Sequence, residues 1–270
     1  MEDCPSGTED IDASKTLRRT ADMTLDYDIL KPIVETIRMG KTYFGKVDVD
    51  VLHDINFVVH PGEFVAIVGQ SGSGKSTLLN ILGCLDTATS GVLRIDGDDV
   101  SDYVDDQLAR VRGDKIGFVF QYHYLIDELT CLENVLLPVI IRRGGVDAVD
   151  RARVLSLIDR VGLTEQIHQT PDTMSSGQNQ RCALVRALAN EPRLILADEP
   201  TGNLDSRSGQ EVFNLLGQMN RETGVAVVMV THDERLASAA DRIMLIEDGH
   251  MQRIEESDMQ ARSTMAVRRG

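Results

Sequence analysis

Residues 69–77, GQSGSGKST, constrain this chain more than any other stretch. They fit the pattern G-x-x-x-x-G-K-[ST], follow directly on the apolar run FVAIV, and open a segment of helical character. A glycine-rich turn between a strand and a helix lets successive backbone N–H groups face a phosphate, with the positive end of the helix behind them. The pattern therefore places phosphate contacts on Gly69, Gln70, Ser71, Gly72, Ser73, Gly74, Lys75, Ser76 and Thr77. Lys75 is expected to reach the outer phosphates, and the Ser76 hydroxyl to ligate magnesium.

The rest of the chain supplies the setting such a loop needs. Apolar, β-rich runs at residues 33–39, 51–59 and 64–68 read as strands separated by turn signals, HPGE (residues 60–63) being the clearest. After Lys75, helical stretches at residues 76–85, 104–112, 132–142, 147–161, 175–190 and 207–221 alternate with the continuous apolar runs IGFVF (116–120), LILAD (194–198) and VAVVMV (225–230). Such runs suit strands covered on both faces, so the layout is α/β with a parallel core sheet. Residues 127–190 contain no convincing strand and read as a helical lobe set into that domain. Residues 1–32 read as a mostly disordered acidic leader and 256–270 as a polar tail, leaving 33–255 as the folded domain.

Ligands of parallel α/β sheets bind at the carboxyl ends of strands, where LILADEP puts Asp198 and Glu199. Asp198 is placed to hold magnesium, and Glu199, free of the metal, to activate or orient an attacking water. The bland alternative is that one carboxylate caps the turn at Pro200. A second helix start, Ser175 to Gln178 in TMSSGQNQR, has S-x-x-Q spacing. By itself this is a capping box that satisfies the free N–H groups of its own helix.

The order of these features, with Gln121 at a strand end, MSSGQ, LILADE, Asp205 and His232, resembles the nucleotide-binding subunits of ATP-binding cassette (ABC) transporters. The resemblance spans about residues 33–253. It implies a P-loop NTPase core of ABC ATPase type, with an N-terminal antiparallel β layer and an inserted α-helical subdomain, that binds ATP and Mg2+ and hydrolyses ATP. Residues 174–178 correspond to the family signature L-S-G-G-Q, so Ser175, Ser176, Gly177 and Gln178 would face the γ-phosphate of ATP bound by a second copy. A head-to-tail homodimer then completes two sites. Tyr43 matches the aromatic that stacks on adenine, with Phe44 the alternative and core packing the structural one. Gln121 matches the residue that senses magnesium and γ-phosphate. Asp205 matches the loop crossing the dimer interface, though a helix-cap Asp looks identical locally. His232 matches the residue that contacts γ-phosphate and joins Glu199 and Lys75 in catalysis.

LLNILGCLD, IGFVFQ and LENVLLP resemble most the lipoprotein-release, macrolide-export and cell-division ATPases. That subgroup implies a separate integral membrane permease as partner and export or extraction of a lipid, lipoprotein or hydrophobic compound. The alternative is a regulatory ATPase signalling through a membrane protein without cargo. Met174 and Ser176 depart from the signature; Met for Leu conserves volume, and a helix start has the negative φ that serine accepts. Tyr122 and Tyr124, after Gln121, are candidates for the surface facing the membrane partner, or for burial in the helical lobe.

Composition trims the alternatives. A formal charge of −15 argues against a broad nucleic-acid surface. The interval from Gln121 to Ser175 is also too short for the long insertions of DNA-repair cassettes. Cys4, Cys84, Cys131 and Cys182 are scattered without zinc spacing, which suits a reducing cytoplasm. The apolar runs are far shorter than the roughly 20 residues of a membrane span, and the acidic start is unlike a secretory signal. The expected location is cytoplasmic, peripheral on the membrane through the permease.

Overall fold

The computed structural model describes residues 31–255. The expected leader and tail lie outside the described residues, apart from Lys31 and Pro32, and so does Cys4. Two sheets organise the chain. The first is antiparallel, in the order β2-β1-β4-β5, from β1 (Val34–Tyr43), β2 (Val49–Val59), β4 (Ser90–Ile95) and the short β5 (Asp98–Asp99). The second runs β10-β9-β3-β8-β7-β6, from β3 (Phe64–Val68), β6 (Ile116–Phe120), β7 (Leu194–Asp198), β8 (Ala226–Val230), β9 (Arg242–Glu247) and β10 (His250–Ile254). Its neighbours pair in parallel except for the antiparallel β9-β10 hairpin at one edge.

Strand alternation divides the core between the two faces of this second sheet. Val65, Ile67, Leu194, Leu196, Val228 and Val230 pack with Val34, Phe57 and other residues of the antiparallel layer. Phe64, Ala66, Ile195, Ala197, Val227 and Met229 pack on the helical side, in one continuous cluster that reaches Val135, Val154 and Leu163. Every residue of β3 and of β8 is buried, which is why these runs carry no polar alternation.

The helices are α1 (Lys75–Leu82), α2 (Asp105–Lys115), α3 (Cys131–Arg143), α4 (Ala148–Arg160), α5 (Ser176–Leu188), α6 (Ser206–Thr223) and the short α7 (Glu234–Ala237). Residues 127–190 form helices and 3-10 turns without a strand. Their last helix lies directly on the sheet: a β-carbon at Gly117 of β6 would meet the Ala187 carbonyl at 2.3 Å, and Gln180 Nε2 donates to the Phe120 carbonyl at 2.8 Å. Among the described residues no helix is long and apolar enough to cross a membrane.

Several elements differ from the expected ones. The first strand extends past Met39 to Tyr43 and the second begins at Val49, which puts Tyr43 at a strand end. The helix after the phosphate loop stops at Leu82 rather than residue 85, because the chain turns at Gly83 and Cys84 takes φ of 55°. Strands β4, β9 and β10 were not anticipated. β4 is half exposed and weakly patterned, and β9 and β10 are joined by a tight turn at Asp248 and Gly249 with φ of 48° and 75°.

Candidate functional site

The loop 69–77 leaves β3 and enters α1 through three glycines in the left-handed half of φ space, Gly69 at 154°, Gly72 at 81° and Gly74 at 105°. At Gly69 a β-carbon would also come within 2.2 Å of the Ile246 carbonyl. Gly74 is the N-cap of α1 and offers no side chain, so the first-turn N–H groups of this helix are left for a ligand. The other two helix starts singled out from sequence are capped. Ser175 Oγ accepts from Gln178 N at 3.3 Å while Gln178 Oε1 accepts from Ser175 N at 2.8 Å, the anticipated reciprocal box. Asp205 Oδ1 accepts from Arg207 N at 3.0 Å and Ser208 N at 3.1 Å. Hydrogen bonds from Ser208, side chain first and then backbone, hold the Asp205 carboxyl below the usual range.

A cavity of about 400 Å³ opens over the loop, lined by Gly69, Ser71, Gly72, Gly74 to Thr77, Val51, Val230, Glu199 and His232. Lys75 is 9% exposed, and its Nζ donates to the Gly69 carbonyl at 2.9 Å and the Gln70 carbonyl at 2.6 Å. Burial lowers its pKa, against the pull of Glu199 and Asp198 in the other direction. Asp198 is pushed up by burial and then by Glu199, with Lys75 opposing.

Adjacent strand ends bring the next pair together. Asp198 of β7 is in register with Val230 of β8, and Glu199 N donates to the Val230 carbonyl at 2.9 Å. Two residues past β8, His232 Nδ1 lies 2.9 Å from Glu199 Oε2. Glu199 adopts φ of 44°, a strained conformation for a non-glycine residue that turns its carboxylate toward the loop cavity. A smaller cavity of about 190 Å³ shares Glu199 and His232 and adds Asp205.

Other predicted residues sit at the margins. Gln121 directly follows β6 and is bonded twice to Asn203: its Nε2 donates to Asn203 Oδ1 at 3.0 Å, and Asn203 Nδ2 donates to the Gln121 backbone carbonyl at 3.2 Å. Tyr43 is 43% exposed, and its hydroxyl donates to Asp86 Oδ2 at 2.7 Å. Ser175, Ser176, Gly177 and Gln178 do not line the loop cavity; a β-carbon at Gly177 would instead touch Ser208 of α6 at 3.3 Å. Asn203 and Val51 escaped the sequence reading. The first could have been suspected from its place two residues before Asp205, but the second has no signal beyond a strand valine.

The back of the loop rests on the β9-β10 turn. Gly249 N donates to the Ser73 carbonyl at 3.2 Å, and the Gly249 carbonyl accepts from His53 N at 2.9 Å. The rings of His53 and His250 stack 4.9 Å apart, closing the turn on β2. A β-carbon at Gly249 would meet the Val51 carbonyl at 2.4 Å. Gly249→Ala is therefore expected to displace the turn from Ser73 and weaken triphosphate binding by about tenfold. Equilibrium binding of a labelled nucleotide, read beside thermal unfolding, checks this; unchanged affinity would show that the loop holds its shape unaided.

The group that could hold a metal is small. Among the described residues no three His, Cys, Asp or Glu side chains gather as a protein-only cage. Ser76 and Asp198 instead offer hard oxygen donors beside a phosphate loop, the arrangement that suits magnesium, which retains waters and takes phosphate oxygens.

Residues 52–202 match the family model described as ABC transporter. The chain is 48% identical over 222 residues to the lipoprotein-releasing system ATP-binding protein LolD 1 of Rhodopseudomonas palustris, covering 82% of this chain and 97% of the relative. It is 49% identical over 219 residues to the macrolide export ATP-binding/permease protein MacB of Syntrophobacter fumaroxidans, covering 80% of this chain but 31% of that longer protein. Among solved structures, it is similar to the ATP-binding cassette MJ0796 of Methanocaldococcus jannaschii in a dimeric post-hydrolysis state bound to ADP and Pi. The TM-score is 0.74 at 44% sequence identity, over 82% of this chain and 99% of that one.

Proposed function

Because this chain belongs to the ABC transporter family, as an ATP-binding subunit that hydrolyses ATP, we propose that two copies pair head to tail and drive a separate membrane permease. The observation that carries the pairing is the division of the motifs: the phosphate loop, Glu199 and His232 share one cavity, whereas the Ser175 helix start stands outside it. The first-turn N–H groups of Ser176 and Gly177 have no intrahelical acceptors, and a helix start attracts an anion. In the dimer Ser175, Ser176, Gly177 and Gln178 meet the γ-phosphate of ATP on the partner subunit, and Asp205 lies at the seam. Dimeric MJ0796 supports this arrangement by likeness.

Within each site Lys75 and the loop N–H groups bind the phosphates and Tyr43 carries the base. Ser76, Asp198 and Gln121 would hold magnesium, which when bound offsets the charge of the phosphate oxygens. Glu199 accepts a proton from the attacking water, and His232, 2.9 Å away, fixes that carboxylate and contacts the γ-phosphate. Gln121 ties this chemistry to the loop before α6 through Asn203.

The permease contact falls on residues 122–126. Tyr122 and Tyr124 are 63% and 64% exposed, so they do not serve the lobe's core. Their backbone is held from beneath by Arg186 of α5, which donates to the carbonyls of His123 and Tyr124. One rigid helix thus carries the partner-facing start at one end and the Tyr124 support farther along. Likeness to the lipoprotein-releasing and macrolide-export proteins supports a cargo of the lipid, lipoprotein or hydrophobic-compound class.

Reconstitution with the permease in vesicles tests the reading. ATP is expected to deplete a labelled lipid or lipoprotein with the native chain, and Ser175→Arg to abolish both depletion and turnover, since its side chain blocks phosphate approach across the interface. Turnover without depletion of any such cargo would favour the signalling alternative. Full activity in Ser175→Arg would remove the shared site.

A further inference from the structure

Beside the phosphate loop a partly buried ionic cluster ties Tyr43 to two residues, Lys41 and Asp86, that have no part in the chemistry above. Lys41 and Tyr43 lie two residues apart at the end of β1. Lys41 Nζ donates to Asp86 Oδ1 at 2.6 Å and to the Thr87 carbonyl at 2.7 Å. The Tyr43 hydroxyl donates to the second oxygen, Asp86 Oδ2, at 2.7 Å. The same ammonium lies 4.6 Å from the centre of the Tyr43 ring.

Each member constrains the next. Lys41 is 8% exposed, a depth at which an ammonium requires a counter-charge, and Asp86 provides it. Burial would raise the Asp86 carboxyl, but hydrogen bonds from Lys41 and Tyr43 hold it below the ordinary range. Asp86 is itself anchored to the phosphate-loop helix, because its N–H donates to the Asn80 carbonyl of α1 at 3.2 Å. The ring is therefore clamped at its hydroxyl and approached by a cation, while 43% of the residue remains open to solvent.

We propose that Lys41 and Asp86 are positioning residues for the nucleotide base, holding the Tyr43 ring so that its open side receives a purine whenever the loop holds the triphosphate. The proposal rests on the reading of Tyr43 as the base platform. A ring free to rotate would have to be immobilised by the ligand, at a cost in affinity that the clamp removes in advance. Asp86 also fixes the spacing between platform and phosphate loop, since it hangs from the helix that begins at Lys75.

The test compares binding of ATP and of inorganic triphosphate to the full chain, with thermal unfolding measured alongside. Asp86→Asn, Lys41→Met and Tyr43→Phe are each expected to weaken ATP by about fivefold and to leave triphosphate within about twofold. Tyr43→Ala should weaken ATP further, by about twentyfold, as both clamp and ring are lost. Pairing Tyr43→Phe with Asp86→Asn should add little to either alone, because the first removes the donor and the second the charged acceptor of the same bond. If Tyr43→Ala weakens ATP while the three milder variants leave it unchanged, the clamp is refuted and the platform stands. If Tyr43→Ala itself is neutral, the platform reading fails. If triphosphate weakens as much as ATP, the cluster serves the loop or the fold and not the base, which also overturns the proposal.

Discussion

Glu199→Gln is expected to cut ATP turnover by about a thousandfold while leaving ATP bound, so that a nucleotide-loaded dimer accumulates. The substitution keeps the volume and one oxygen of the side chain but removes its ability to take a proton, and a positioned base of this kind contributes about 10²–10⁴ in rate. Affinity should survive, because the loop, Lys75 and the open start of α1, proposed to hold the phosphates, are untouched. It should even improve, since the carboxylate lines the loop cavity proposed for the triphosphate, and its charge opposes an anion there. Single-turnover hydrolysis together with sedimentation in ATP reads both effects. A variant that stays monomeric and hydrolyses at the native rate would take Glu199 out of the reaction and leave His232 as the group to examine.

Lys75→Ala is expected to act on the other half of the cycle, weakening ATP binding by about a hundredfold. Lys75 is buried and already directed at the loop carbonyls of Gly69 and Gln70, so its ammonium is confined to the cavity rather than drawn from solvent. Charge-assisted hydrogen bonds to phosphate are about twice as strong as neutral ones. Its removal also leaves Asp198 and Glu199 facing the ligand without their nearest cation, since Lys75 alone opposes the upward push on the Asp198 carboxyl. Equilibrium dialysis with labelled ATP measures the loss. Native affinity in Lys75→Ala would mean that backbone N–H groups suffice. The two variants separate binding from chemistry, because the first should trap ATP and the second should fail to gather it.

Features written in consecutive residues were legible from sequence, and features made by register were not. The spacing of Gly69, Gly72 and Gly74 dictated a loop that only positive φ can close, and S-x-x-Q at Ser175 dictated a capping box that the helix start contains. Glu199 and His232 were each singled out, but their contact depends on β7 and β8 lying side by side, a pairing across 33 residues that neither local pattern encodes. Lys41 and Asp86 are 45 residues apart and gave no sign of meeting. The hairpins were missed for a different reason. Asp96-Gly97 and Asp248-Gly249 are turn dipeptides that follow the apolar runs ending at Ile95 and Ile246, but the polar residues after them, Asp98, Asp99 and His250, hide the returning strands. Tyr122 and Tyr124 illustrate a third limit, because sequence left open whether they were core or surface, and their exposure decides it.

The strand that delivers the phosphate loop has both of its neighbours in the last third of the chain: Phe64 is in register with Val227 and Val65 with Arg242, and the Phe64 N–H is held by Asp241, 177 residues later. On a ribosome adding about 5–20 residues per second, the motif waits roughly ten to thirty-five seconds for the partners that give it shape. A nascent or truncated chain ending before the Gly249 turn would display every glycine and the lysine of the loop without the wall they lean on. A product that lacks β8, β9 and the Gly249 turn therefore has no assembled phosphate site, however complete its motif.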